Sequence, residues 1–260
     1  MSNPLDFSGK TVLVTGGSRG IGRGIAEAFL EAGAEVAICG RTEPDELPAA
    51  DGKSAVFFGA DVRDAEQVEK LVDAVVQALG RLDVLVNNAG GAPFADASTA
   101  SPRFSEKVIQ LNLTAALHCA QQANRVMQKQ ESGGSIINVA SVSGVRPSPG
   151  TAAYGAAKAG LINLTGTLAI EWAPKVRVNA ISAGLIRTEQ AHLHYGDEEG
   201  IARVADTVPL RRLGTADDVA RACLFFASPL AAYVSGANLV LHGGGETPAF
   251  LTAASVNRGE

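Results

Sequence analysis

The 260-residue chain is 46% hydrophobic and 19% charged, enough apolar material for a sizeable core. Its net charge of −5, with lysines and arginines scattered, argues against nucleic acid or an anionic membrane as the main partner. No apolar run approaches the ~20 residues a bilayer requires, and residues 1–7 lack a secretory pattern, so a cytoplasmic protein is expected.

Short β-rich apolar runs recur at 11–14, 36–38, 55–58, 84–86, 136–139, 176–178 and 239–241, separated by helical stretches. Several are nearly continuous, as strands covered on both faces must be. Seven such runs predict an α/β fold, a doubly wound parallel sheet in a single domain. The first leads into Thr15-Gly16-Gly17-Ser18-Arg19-Gly20-Ile21-Gly22, with a helix expected over 24–32. A glycine-rich turn at a helix start offers free N–H groups and the positive end of the helix dipole to a pyrophosphate.

The second strand ends in Gly40-Arg41, with no Asp or Glu where a dinucleotide fold reads the adenosine ribose; Glu43 is the nearest carboxylate. Arg41 and Arg19 together suit a dianionic 2′-phosphate, so NADP(H) is expected over NAD(H), the alternative cofactor. Pro44, Pro48 and Asp51-Gly52 predict a loop or one turn instead of a crossover helix. Asp61 then falls at a strand's carboxyl end, and helical periodicity covers 65–79.

The next strand ends in Asn87-Asn88-Ala89-Gly90-Gly91, where adjacent buried asparagines read best as ties between strands. One long helix is expected over 102–129, with Asn112 and His118 inside it. Ser141 and Ser143 follow the strand 136–139, at the edge where doubly wound sheets place ligands. In Thr151-Ala152-Ala153-Tyr154-Gly155-Ala156-Ala157-Lys158-Ala159-Gly160, a helix stacks Tyr154 and Lys158 on one face. A phenol beside an ammonium is a proton-transfer device. Gly155 and Gly160 imply that something large closely approaches this helix. Cys39, Cys119 and Cys223 have no metal-ligand spacing and read as small buried hydrophobes in a reducing compartment.

These motifs, with Arg177-Val178-Asn179-Ala180, make the chain resemble the short-chain dehydrogenase/reductase family over residues 10–244. The resemblance implies a Rossmann-type fold with strand order 3-2-1-4-5-6-7 and helices on both faces. It also implies nicotinamide-dependent interconversion of a small-molecule carbonyl and alcohol, and a homotetramer, with a homodimer as the alternative. By position, Tyr154 is the proton donor or base, and Lys158 lowers its pKa and holds the nicotinamide ribose. Ser141 hydrogen-bonds the substrate oxygen, and Asn112 positions a water. Cofactor contacts fall on Gly16, Ser18, Arg19, Gly20, Ile21, Gly22, Arg41, Asp61, Val62, Asn88, Ala89, Gly90, Gly184, Ile186 and Thr188, besides Tyr154 and Lys158. The Tyr–Lys spacing separates the chain from relatives specialised for enoyl reduction, which usually carry a longer gap. Where the family has Pro-Gly, this chain has Ala183-Gly184.

Residues 187–208 are expected to form a substrate lid, with Gly196 and Gly200 as hinges. His192 and His194 lack a third ligand, so no metal is expected. Arg187, Arg211 and Arg212 are available to structural ion pairs or an anionic substrate tail. A helix is expected to start at Thr215-Ala216-Asp217-Asp218. By family analogy the substrate is a 3-oxoacyl thioester on CoA or acyl carrier protein, or an alicyclic, steroid-like ketone. A catalytically silent NADP-binding sensor is the contrasting reading, disfavoured because Ser141, Tyr154 and Lys158 are all present.

Overall fold

Each central strand is apolar toward both of its faces, and a layer of helices covers each side. In the computed structural model, which describes residues 3–253, the strands are β1 (Thr11–Thr15), β2 (Glu35–Gly40), β3 (Val56–Gly59), β4 (Val84–Asn87), β5 (Gly134–Ser141), β6 (Val176–Ala183) and β7 (Asn238–Leu241). They form one seven-stranded parallel sheet in the order β3-β2-β1-β4-β5-β6-β7. On β1, Val12 and Val14 enter one core with Ile25 and Phe29, while Leu13 enters the other with Leu71 and Leu85. This alternation explains why the strands read as unbroken apolar runs.

The helices are α1 (Gly20–Glu31), α2 (Ala65–Leu79), α3 (Pro102–Ile109), α4 (Ala115–Met127), α5 (Ala152–Glu171), α6 (His192–Tyr195), α7 (Glu198–Thr207), α8 (Ala216–Ala227) and α9 (Ala249–Ala253). Helix α1 starts at Gly20, four residues before the expected boundary, because the glycines themselves form its first turn. Between β2 and β3 the chain makes no helix. It forms a two-residue hairpin, Ala49–Ala50 with Lys53–Ser54, turned by Asp51 and Gly52 at φ 51° and 77°.

The expected helix over 102–129 is interrupted by a π turn at Gln110–Thr114. There the Asn112 amide donates to the Val108 carbonyl at 2.9 Å, competing with the backbone for its own i−4 acceptor. Helix α5 ends at Glu171, capped at Trp172 and followed by Pro174. The Thr215–Asp218 capping box opens α8 as expected. From Gly243 to Glu260 the sequence suggests subunit packing or fraying, and residues 254–260 of that stretch lie outside the described residues.

Candidate active site

The carboxyl ends of β1, β4, β5 and β6 carry the groups singled out in the sequence. After β1, Gly16 and Gly20 have φ of 64° and 55°, left-handed values that glycine adopts without strain. The loop is compressed against the β4 end. The Thr15 hydroxyl accepts from the Asn88 and Ala89 amides, and the Asn88 side chain donates to the Thr15 and Gly16 carbonyls. A Cβ on Gly22 would lie 2.3 Å from the Gly16 carbonyl and 2.5 Å from Asn88 Nδ2, so only glycine closes this turn. Ile21 packs on the core. Arg19 caps α1 without a side-chain bond to it. The loop's fitness for an anion is visible directly: the Gly20 N–H already donates to the Glu189 carboxylate at 2.9 Å.

Arg41 follows β2 and is exposed, as is Arg19. Among the described residues no carboxylate forms an ion pair with either. Asp61 holds Arg63 in a fork, Nε–Oδ1 at 2.9 Å and Nη2–Oδ2 at 2.5 Å. Hydrogen bonds from Arg63, with a smaller electrostatic pull from Arg41, hold the Asp61 carboxyl below its ordinary range. The resemblance puts Asp61 among the cofactor contacts and gives no sign of Arg63. The available signal was a guanidinium two residues after the carboxylate, close enough to bond it locally. Val62 beside it is buried in the core.

Strand β5 ends on Ser141, whose hydroxyl accepts from the Ser143 amide as the chain turns toward α5. Burial pushes the Tyr154 phenol up, and a hydrogen bond with Ser141 draws it partly back. The Lys158 ammonium lies 5.6 Å from the centre of the Tyr154 ring and donates to the Val139 carbonyl at 2.7 Å. Lys158 is almost fully buried, and desolvation lowers its pKa to about 8. Ser141 is thus the group that draws the phenol down, while the Lys158 ammonium is held against backbone. The close approaches implied by the α5 glycines are present. A Cβ on Gly155 would meet the Ser143 carbonyl at 2.7 Å, and one on Gly160 would meet Leu113 at 3.0 Å.

Asn112 completes the group. Its carbonyl accepts from the Gly91 amide at 2.8 Å and its amide donates to the Gly91 carbonyl at 3.0 Å. A Cβ on Gly90 would fall 2.6 Å from Asn112 Oδ1 and 3.3 Å from Lys158 Nζ. Gly90 thus marks the narrow passage between these two side chains. Gly90→Ala is expected to displace both and lower kcat/KM by about 100-fold, the scale of a misplacement near 1 Å. Steady-state rates, with circular dichroism as the folding control, check this; an unchanged rate would separate the pair from the chemistry.

Asn87 binds Asn138 and the Ala116 carbonyl, the structural tie its position suggested. Ala183 pairs in register with Ser141 on one side and Leu241 on the other. The strand ladder therefore occupies the position where the family's proline would lack an N–H. Gly184 is tucked against His242, Ile186 bridges to Gly214, and Thr188 lies over Gly20. In the segment 187–208, His192 and His194 are exposed, and the His192 ring contacts the Glu189 carbonyl at 3.1 Å. The three arginines offered to an anionic tail already face carboxylates: Arg187 on Glu198, Arg212 on Asp218, and Arg211 4.0 Å from Asp206.

A parallel sheet with a glycine-rich anion loop, and a serine, tyrosine and lysine at its carboxyl edge, defines a dinucleotide-dependent oxidoreductase. A family model described as enoyl-(acyl carrier protein) reductase matches residues 16–246. An L-rhamnose 1-dehydrogenase (NAD(P)(+)) of Azotobacter vinelandii is 40% identical, the match covering 90% of this chain and 96% of that one. A 3-oxoacyl-(acyl-carrier-protein) reductase of Chlamydia pneumoniae is 39% identical, over 92% and 98% respectively. The crystal structure of a putative short-chain alcohol dehydrogenase from Sinorhizobium meliloti 1021 superposes with a TM-score of 0.84 at 37% identity, over 93% and 98%. The chain belongs to the short-chain dehydrogenase/reductase family, and is an NAD(P)-binding oxidoreductase acting on CH–OH and C=O groups.

Proposed function

We propose that this chain interconverts an apolar ketone and its secondary alcohol with NADP(H) in preference to NAD(H). The observation that carries the reaction is the convergence of Ser141, Tyr154 and Lys158 beside Asn112. A bound nicotinamide would supply or accept the hydride, and Lys158 with the backbone around Gly90, Gly184, Ile186 and Thr188 would hold it. As a ketone is reduced, charge develops on its oxygen. The Ser141 hydroxyl donates to that oxygen, and Tyr154 delivers its phenolic proton. The upward push on Tyr154 keeps the donor protonated at neutral pH, which favours this direction. Oxidation requires the phenolate and therefore accelerates as pH rises.

NADP selectivity is supported by the exposed guanidiniums of Arg19 and Arg41, which form no ion pair among the described residues, at the ribose end, where the last residues of β2 supply no carboxylate. Arg41→Ala is expected to weaken NADP binding by about 30-fold, the scale of losing one charged hydrogen bond, and to leave NAD nearly unchanged. Isothermal titration of both nucleotides measures this, and an unaltered ratio would refute it.

An apolar substrate is supported by the loops after β4, β5 and β6. The segments that follow these strands' carboxyl ends expose Phe94 (76%), Val145 (48%) and Leu193 (67%), surfaces that match an acyl chain or fused rings. A polyhydroxylated sugar, the substrate named for the Azotobacter relative, gains no hydrogen bonds from these side chains. A 3-oxoacyl thioester is the first candidate, in keeping with the Chlamydia relative's name, and an alicyclic, steroid-like ketone the second. Following NADPH absorbance with each, and with an aldose, tests the assignment. Turnover of the aldose alone would overturn it.

Residues 1–260 would act as one domain, with 187–208 as the substrate lid. Edge strand β7 exposes Leu239 and Val240, and Ile170 is also exposed, apolar surface suited to a homotetramer. Among the described residues no helix is long and apolar enough to cross a membrane. Three free, buried cysteines support a reducing, cytoplasmic setting.

A further inference from the structure

Glu189 and Gly20 are 169 residues apart, yet Glu189 Oε1 accepts the Gly20 N–H at 2.9 Å. Gly20 is the first residue of α1, and its N–H belongs to the set the phosphate loop offers to an anion. No lysine or arginine forms an ion pair with this carboxylate among the described residues. It is held by backbone at the positive end of a helix, as a phosphate oxygen would be. The contact is reinforced from the same segment. The Thr188 methyl lies 3.6 Å from where a Gly20 Cβ would stand, and the Glu189 carbonyl meets the His192 ring at the start of α6. A cleft of about 400 Å³ runs beside the contact, lined by Gly20, Thr188, Glu189, His192 and Ala216.

We propose that Glu189 is a displaceable carboxylate plug in the phosphate cradle, so that binding a dinucleotide requires it to leave Gly20 and carries the segment entering α6 with it. The inference rests on the reading of this loop as the cofactor site. Two anions cannot share one N–H at the same helix end, because their charges repel and the donor is single. The plug therefore acts in two ways. It satisfies an otherwise open donor in the free protein, and it makes the position of residues 187–191 depend on whether a phosphate is present. Cofactor affinity is then lowered by the fraction of molecules that are plugged, and cofactor binding releases the first residues of the lid before substrate arrives.

The test uses the full chain with Glu189→Ala and the conservative Glu189→Gln. Equilibrium binding of NADPH, read by fluorescence without substrate, is expected to tighten about tenfold in Glu189→Ala, the factor for a nine-tenths plugged population, and less in Glu189→Gln. Hydrogen exchange at the Gly20 amide is expected to be faster in nucleotide-free Glu189→Ala than in wild type. Inorganic pyrophosphate should restore protection at lower concentration in the variant. Unchanged or weakened NADPH binding in both variants, beside a wild type that binds normally, would overturn the plug and leave the cofactor site standing. A wild type that binds neither NADPH nor NADH would overturn the cofactor reading and the plug with it.

Discussion

Tyr154→Phe is expected to reduce ketone turnover by about 10³-fold or more while leaving NADPH affinity within a factor of about three. General acid catalysis by a positioned side chain contributes roughly 10²–10⁴-fold, and no other phenol in the described chain occupies this position. Phenylalanine keeps the ring beneath Lys158 and the packing of α5 on the turn after Ser141, so geometry is preserved and only the proton is lost. Ser141 would still donate to the carbonyl oxygen, which accounts for residual activity. Single-turnover absorbance separates this chemical defect from any change in binding. Equal rates in the two proteins would remove Tyr154 as the acid.

Lys158→Met is expected to abolish most activity and yet raise stability at neutral pH. Lys158 is buried, and burial lowers its folded-state pKa from 10.5 to about 8. Between those values the unfolded chain binds the proton that the folded chain has released, so wild-type stability rises with pH across that window. Below pH 8 the folded protein carries the full cost of a desolvated ammonium, on the order of 3 kcal/mol. The bond to the Val139 carbonyl offsets about 1 kcal/mol of the gain on replacing it. Methionine should therefore raise Tm by several degrees at pH 7, with the advantage shrinking as pH climbs toward 10.5. Thermal melts at a series of pH values check the sign. A variant less stable at pH 7 would mean that the lysine is a net structural support.

Such a cost at a functional position is what the fold tolerates elsewhere in the site. The π turn at Asn112 and the glycines at 16, 22 and 90 exchange regular helix or side-chain packing for close approach. They surround the same edge of the sheet that Lys158 serves.

The strands were legible because burial on both faces leaves an unbroken apolar run, and all seven runs fall on strands of the sheet. Helix α2 was legible to the residue because Asp64 caps it and Gly80, at φ 82°, ends it. The sequence shows helix α1 only from its second turn, because glycine's low helix propensity hides a first turn built from it. The π turn was invisible for a different reason. It arises from a side-chain bond within the helix and leaves the apolar spacing almost intact. Juxtaposing Ser141 with Tyr154 needed only β5 and α5 in the expected order. Contacts set by distant segments have no local signature: Glu189 on Gly20 joins the segment after β6 to the first helix, and Arg146 pairs with Glu246 100 residues away. Arg187 and Arg212 look free in the sequence because charge alone does not show that Glu198 or Asp218 lies opposite.

The pH–rate profile of ketone reduction in wild type and in Lys158→Met, measured at saturating NADPH, tests the coupling of lysine and phenol most directly. The wild-type rate should fall as pH passes about 8, where Lys158 loses its charge, and the methionine variant's low residual rate should show no break there. Profiles of the same shape and height in both proteins would contradict the assignment of proton transfer to this pair.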